Sequence, residues 1–126
     1  MCSSDLEGGV KGIEITMTSP GATEAIYQVS KLLKNEAIIG AGSVLDPETA
    51  RIAMLAGADF IVGPAINLEV VKICKRYSKI VIPGAFSPTE IITAWQAGAD
   101  VVKVFPATKL GHLSLRILRG LCPRCV

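Results

Sequence analysis

Residues 79–107 read KIVIPGAFSPTEIITAWQAGADVVKVFPA, and this stretch decides the architecture. It opens with one short apolar run, KIVIPGAF (79–86), and closes with another, VVKVFPA (101–107). Between them, SPTE (87–90) puts serine before proline, the order of an N-cap followed by the first helical residue. The apolar face of EIITAWQAG comes next, and the glycine of QAGAD (96–100) marks the helix stop. Strand, short loop, helix and strand in so few residues make a parallel crossover unit.

The unit repeats toward the N-terminus. GIEITM (12–17), AIIGAGSV (37–44) and FIVGPA (60–65) are further apolar runs, and the five runs start 19 to 25 residues apart. Helical patterns lie between them, such as GATEAIYQVSKLLKN with Ala25, Ile26, Val29, Leu32 and Leu33 on one face. SPG (19–21) and DPE (46–48) repeat the start signal, and LAGAD (55–59) repeats the stop. An open doubly wound sheet and a (β/α)8 barrel both fit this alternation. No G-x-G-x-x-G follows a first strand; GAG at 40–42 only superficially suggests one. Near-constant spacing and polar residues inside strands favour the barrel. The expected fold is α/β, a partial (β/α)8 TIM barrel of about five βα units.

Bulk composition narrows the function classes. Half of the 126 residues are hydrophobic, 19% are charged and 5% aromatic, which predicts one globular domain at most. A net charge of +2 is too small for a nucleic-acid footprint, and KICKR (72–76) is the longest basic cluster. No apolar run reaches about 18 residues and no signal-peptide pattern is present, so a soluble cytoplasmic protein without membrane contact is expected. CPRC (122–125) supplies two ligands where structural zinc takes four, and it does not open a helix after a strand as a redox pair should.

Lys103 is the anomaly in VVKVFPA. An ammonium inside a buried strand costs several kcal/mol, on the order of the desolvation penalty of one ion. Alternate strand residues share a face. Lys103 therefore sides with Val101 and Phe105, while Val102 and Val104 face the helices. In GIEITMT, Ile13, Ile15 and Met17 take the helix side, leaving Glu14, Thr16 and Thr18 inward. A carboxylate and a primary amine thus point toward one barrel axis, where each partly compensates the other. One reading is a structural ion pair, or two charges that snorkel to the barrel mouth. The other is chemical: desolvation favours neutral lysine, a neutral amine attacks a ketone to give a Schiff base, and a carboxylate moves the protons.

GIEIT, GAGSVLDPE, FIVGPAIN, IPGAFSPTE and VKVFPA together resemble the class I aldolases that cleave 2-keto-3-deoxy-6-phosphogluconate (KDPG) and 4-hydroxy-2-oxoglutarate (KHG). The resemblance runs collinearly from about residue 7 to residue 120. It implies a (β/α)8 barrel, usually a homotrimer, acting on a small 2-keto acid with no metal or organic cofactor. By position, Lys103 resembles the family's Schiff-base lysine and Glu14 its proton-transferring glutamate. Ser43 occupies the place of a threonine that contacts the pyruvate end of the substrate. Thr16 lies on the same inward face; Pro64 and Phe105 resemble apolar pocket walls. Thr18 stands where some members carry a substrate-binding arginine, and Gly63 where serine is common.

A typical barrel has about 250 residues. By that resemblance the five runs match the second to sixth strands of the family's barrel, so the partial barrel domain is expected over 7–120. Residues 1–6 and 121–126 are read as non-native ends, the latter consistent with a frameshift. Open edges and an uncovered inner face predict that the chain alone aggregates or folds partly and is inactive. His112 reads as a capping or solvated residue, Trp95 and Cys74 as core, Asp46 and Glu48 as a helix start, and KICKRY as a solvated helix end. The competing functions are a phosphate-binding barrel isomerase or synthase, in which Lys103 pairs with an anion, and a non-catalytic barrel remnant.

Overall fold

A computed structural model describes residues 8–107. The chain runs through β1 (Gly12–Thr16), α1 (Ala22–Leu32), β2 (Ile38–Gly42), α2 (Pro47–Ala56), β3 (Phe60–Val62) and α3 (Leu68–Arg76). It continues through β4 (Ile80–Ile82), β5 (Gly84–Ala85), α4 (Pro88–Gln96) and β6 (Lys103–Val104). One sheet has the order β1-β2-β3-β4 and a second pairs β5 with β6, every ladder parallel. Spatial order therefore follows chain order throughout. A doubly wound sheet reverses its strand order at a switch point. None occurs among the described strands, and the arrangement is that of consecutive barrel units. The expected fifth helix, His112, Cys2, Cys122, Cys125 and both proposed non-native ends lie outside the described residues.

One correction concerns the run at 79–86, which reads as a single strand. It is two, β4 and β5, divided at Pro83. Before the break Ile82 accepts from Gly63 N–H (3.1 Å); at it, Pro83 accepts from Lys103 N–H (3.0 Å). Proline has no N–H to give to a ladder. The run uses that gap to change partners, leaving β3 for β6.

Each strand puts one face against the helices. Ile39, Ala41, Ile61 and Val81 from the strands meet Ile26, Ala50, Ala53, Val71 and Cys74 from the helices in one core cluster. Ala85, Val102 and Val104 meet Ile91 and Ala94 in a second. Truncating a buried Ile or Leu to Ala in such a layer costs about 2–5 kcal/mol. The alanines matter as much as the large residues, because Ala50, Ala53 and Ala94 are fully buried and let helix backbones approach the sheet.

The start and stop signals are mostly realised. Asp46 caps α2 by accepting from Thr49 N–H (2.6 Å), which holds its carboxyl below the usual range. Ser87 and Glu90 form a reciprocal capping box on α4. The N–H groups of Ser87 and Phe86 hold the Glu90 carboxyl below its usual range. At α1 the expectation fails: Gly21, with φ 72°, occupies the cap without a side-chain bond, and Ser19 stays in the preceding turn.

LAGAD and QAGAD prove to be one device used twice. Gly57 (φ 110°) and Gly98 (φ 96°) end their helices in the left-handed region that glycine tolerates. The aspartate two residues on then exchanges two bonds with a neighbouring strand. Asp59 N–H donates to the Ile39 carbonyl (2.6 Å) while its carboxylate accepts from Ile39 N–H (3.1 Å). Asp100 does the same with Val81, at 3.1 and 3.0 Å.

Two apolar residues expected inside are outside. Leu32 is 75% exposed and Trp95 47% exposed. Both lie on helices whose inward stripe is already filled by others, Ile26 on α1 and Ile91 on α4. Ile52 and Leu55 likewise face outward from α2. KICKRY is mixed: Lys72, Lys75 and Arg76 are exposed, but Cys74 is fully buried, as expected of a core thiol.

Candidate active site

The face of the sheet turned away from the helices carries the candidate residues. Along β1 and the two residues after it, Ile13 is buried and Ile15 and Met17 pack against the core, so Glu14, Thr16 and Thr18 take the opposite face. The Thr16 and Thr18 hydroxyls bond each other at 2.8 Å. Along β6 and the residues flanking it, Val102 and Val104 are buried against α4, which turns Lys103 and Phe105 away from it. Glu14 and Lys103 therefore both project on the side away from the helix layer. The ammonium of Lys103 stands 4.9 Å from the centre of the Phe105 ring, an attraction worth about 0.5–1 kcal/mol at an exposed site.

The expected mutual compensation of Glu14 and Lys103 is not present. Among the described residues neither side chain joins an ion pair. Glu14 is exposed and Lys103 half-buried.

Glycines shape the ground between them. Glu14 pairs in register with Gly40, yet its side chain leans along the strand to cover Gly42. A Cβ at Gly42 would overlap the Glu14 carboxylate, and one at Gly40 would overlap the Phe60 ring. GAG at 40–42 is therefore a trough that lets its neighbours lie flat across β2. Leaning toward Gly42 carries the carboxylate to the C-terminal end of the strand, where barrel enzymes build their sites. Sequence reasoning dismissed GAG as a false nucleotide signal and missed this role. The available signal was glycine at alternate inward positions beside a strand with a long inward side chain. Gly42→Ala should displace the Glu14 carboxylate from its place across β2, since the added Cβ would occupy that space. A crystal structure of the variant would check this; a Glu14 carboxylate still lying over residue 42 would mean that the trough does not position it.

Ser43 follows the trough in a left-handed conformation, φ 58°. A non-glycine residue there costs on the order of 1–3 kcal/mol and persists only where surroundings hold it. Backbone bonds flank it: Met17 N–H to Gly42 (2.8 Å) and Val44 N–H to Val62 (3.1 Å). Pro64 lies at the end of β3, its carbonyl so close to Gly84 that a Cβ there would strike it. Cys74, a thiol buried in the core on the helix side of the sheet, is no competitor. Burial, and secondarily the charge of Asp100, pushes its thiol up to about 11. Among the described residues no three His, Cys, Asp or Glu side chains gather to hold a metal ion, and no helix is long and apolar enough to cross a membrane.

Comparison with known proteins now bears on this face. The family model described as "Aldolase: KDPG and KHG aldolase" matches residues 1–123. The chain belongs to the KDPG and KHG aldolase family. Its relatives include 2-dehydro-3-deoxy-6-phosphogalactonate aldolase of Escherichia coli K12, 33% identical over 94% of this chain and 58% of the relative. The 2-dehydro-3-deoxy-phosphogluconate aldolase of Treponema pallidum is 41% identical over 87% of this chain and 52% of the relative. Among solved structures, KDPG aldolase of Legionella pneumophila superposes with a TM-score of 0.86 at 28% identity, covering 97% of this chain and 60% of that one. That crystal holds pyruvate captured as a covalent carbinolamine intermediate. The chain thus spans between half and three-fifths of the length of these aldolase relatives, and its fold is the corresponding part of their barrel.

Proposed function

We propose that these residues form the second to sixth units of a (β/α)8 barrel of its relatives' length, and that the complete barrel is a class I aldolase. The observation that carries the reading is the common face of Lys103 and Glu14. An amine and a carboxylate turned from the helices, beside a glycine trough and a hydroxyl-bearing loop, suit a keto acid.

In this mechanism the Lys103 amine attacks the C2 ketone of the substrate, and loss of water gives a protonated imine. The imine withdraws electrons from the C3–C4 bond. Glu14, directly or through water, takes the proton of the C4 hydroxyl; the C3–C4 bond breaks, the C4 oxygen becomes an aldehyde, and the electron pair passes into an enamine on Lys103. Protonation of C3 and hydrolysis of the imine release pyruvate and restore the amine. Ser43 and the Thr16–Thr18 pair hold the polar groups of the substrate, and Pro64 and Phe105 bound its apolar side. An isomerase or synthase that used Lys103 only as a counter-ion would form no covalent adduct.

The substrate class is a small 2-keto-3-deoxy acid cleaved to pyruvate and an aldehyde. The names of the relatives divide between gluconate- and galactonate-derived phosphosugars, and hydroxy-oxoglutarate remains a third candidate. Thr18 offers a neutral hydroxyl rather than a cation, which favours recognition of hydroxyl groups at that position. The complete barrel is read as a cytoplasmic homotrimer; the outward Ile52, Leu55 and Trp95 support burial between subunits.

The test is pyruvate release from the three keto acids by the complete barrel and by the 126-residue chain, each sized by light scattering. The expected result is turnover and a trimeric mass for the complete barrel and none for the chain alone. No pyruvate from any of the three would reject the reading, and turnover by the chain alone would reject the need for completion.

A further inference from the structure

We propose that Asn67 is a positioning residue that holds Ser43 in its substrate-facing conformation, an inference that rests on the reading of Ser43 given above. Asn67 begins α3 and uses both ends of its amide. The side-chain oxygen accepts from Glu69 N–H (2.9 Å) and Val70 N–H (3.3 Å), capping the helix. The side-chain nitrogen donates to the Leu45 carbonyl at 2.9 Å, across 22 positions of sequence. The cap fixes which end is which, because only the oxygen can accept from helix N–H groups.

Leu45 belongs to the short loop between β2 and α2, two residues beyond Ser43. That loop leaves the strand through the left-handed Ser43 and is anchored at its far side by the Asp46 cap. Backbone bonds restrain it on either side of Ser43, from Met17 N–H to Gly42 at the end of β2 and from Val44 N–H to Val62 of β3, and any sequence would make them. The Asn67 amide is a side-chain restraint, so its identity is a choice. Serine or aspartate would cap α3 as well, but neither presents an N–H to Leu45. Aspartate would set a carboxylate against that carbonyl. Asparagine is the residue that serves as cap and clamp together, and the clamped element is the one bearing the substrate hydroxyl.

The experiment uses Asn67→Asp and Asn67→Ser in the complete barrel, alone and combined with Ser43→Ala, with the best of the three keto acids as substrate. Both substitutions retain a cap, so folding is preserved while the clamp is lost. KM is expected to rise about 3- to 10-fold, the size of one lost neutral hydrogen bond, with kcat changed less than about 2-fold. Ser43→Ala should raise KM similarly, and the double variants should be no worse than Ser43→Ala alone, because the two changes remove one interaction. A KM unchanged in both Asn67 variants, or effects that multiply in the doubles, would overturn the inference while leaving the aldolase reading intact. A wild-type barrel that releases no pyruvate would overturn both.

Discussion

Lys103→Ala in the complete barrel is expected to abolish borohydride trapping of pyruvate and to reduce aldol cleavage to background. The size of the effect follows from chemistry: without the amine no imine forms, and without the imine there is no sink for the electrons of the C3–C4 bond. Lys103→Arg should be equally inactive, since a guanidinium keeps the charge but does not deprotonate to attack a ketone. Neither change threatens the fold, because Lys103 lies outside both core clusters and touches the Phe105 ring rather than a charged partner. Lys79 is the control. It stands 3.7 Å from Asp59, next to the N-terminal end of β4, and Lys79→Ala should trap pyruvate like the parent. Trapping that survived in Lys103→Ala would assign the chemistry elsewhere.

Glu14→Gln should lower turnover by about 10²- to 10⁴-fold, the range of a lost general acid–base group. The substitution keeps the shape that lies over Gly42 and removes only the capacity to take a proton. Trapping of pyruvate should become slower but remain detectable, since the amine is untouched. Kinetics would thereby separate the two roles: one variant cannot form the adduct, and the other forms it but breaks the carbon–carbon bond slowly. A Glu14→Gln barrel within about threefold of the parent rate would remove Glu14 from the mechanism.

Much of this was legible in the residues because it depends on local periodicity. Alternation in GIEITMT and VVKVFPA assigned Glu14 and Lys103 to the face away from the helices before any contact was known. Asp46, Ser87 and the two GAD stops were readable because caps and left-handed glycines act within a few residues. What escaped depends on tertiary neighbours. Leu32 and Trp95 fit an apolar pattern, but a pattern does not show when the inward stripe is already full. Pro83 sat in plain view, yet only the change of partner from β3 to β6 explains why the run breaks there. Gly42 gains its meaning from Glu14 on another strand, and Asn67 from a carbonyl far away in sequence. The Glu14–Lys103 ion pair is absent among the described residues, and pattern alone could not decide it: face can be read from alternation, whereas distance and solvent access cannot.

The most direct test is to reduce the complete barrel with borohydride in the presence of pyruvate, digest it and map the modified residue by mass spectrometry. The account predicts a single adduct, on the peptide containing Lys103. An adduct on Lys75, Lys79 or any other lysine, or no adduct at all, would contradict it.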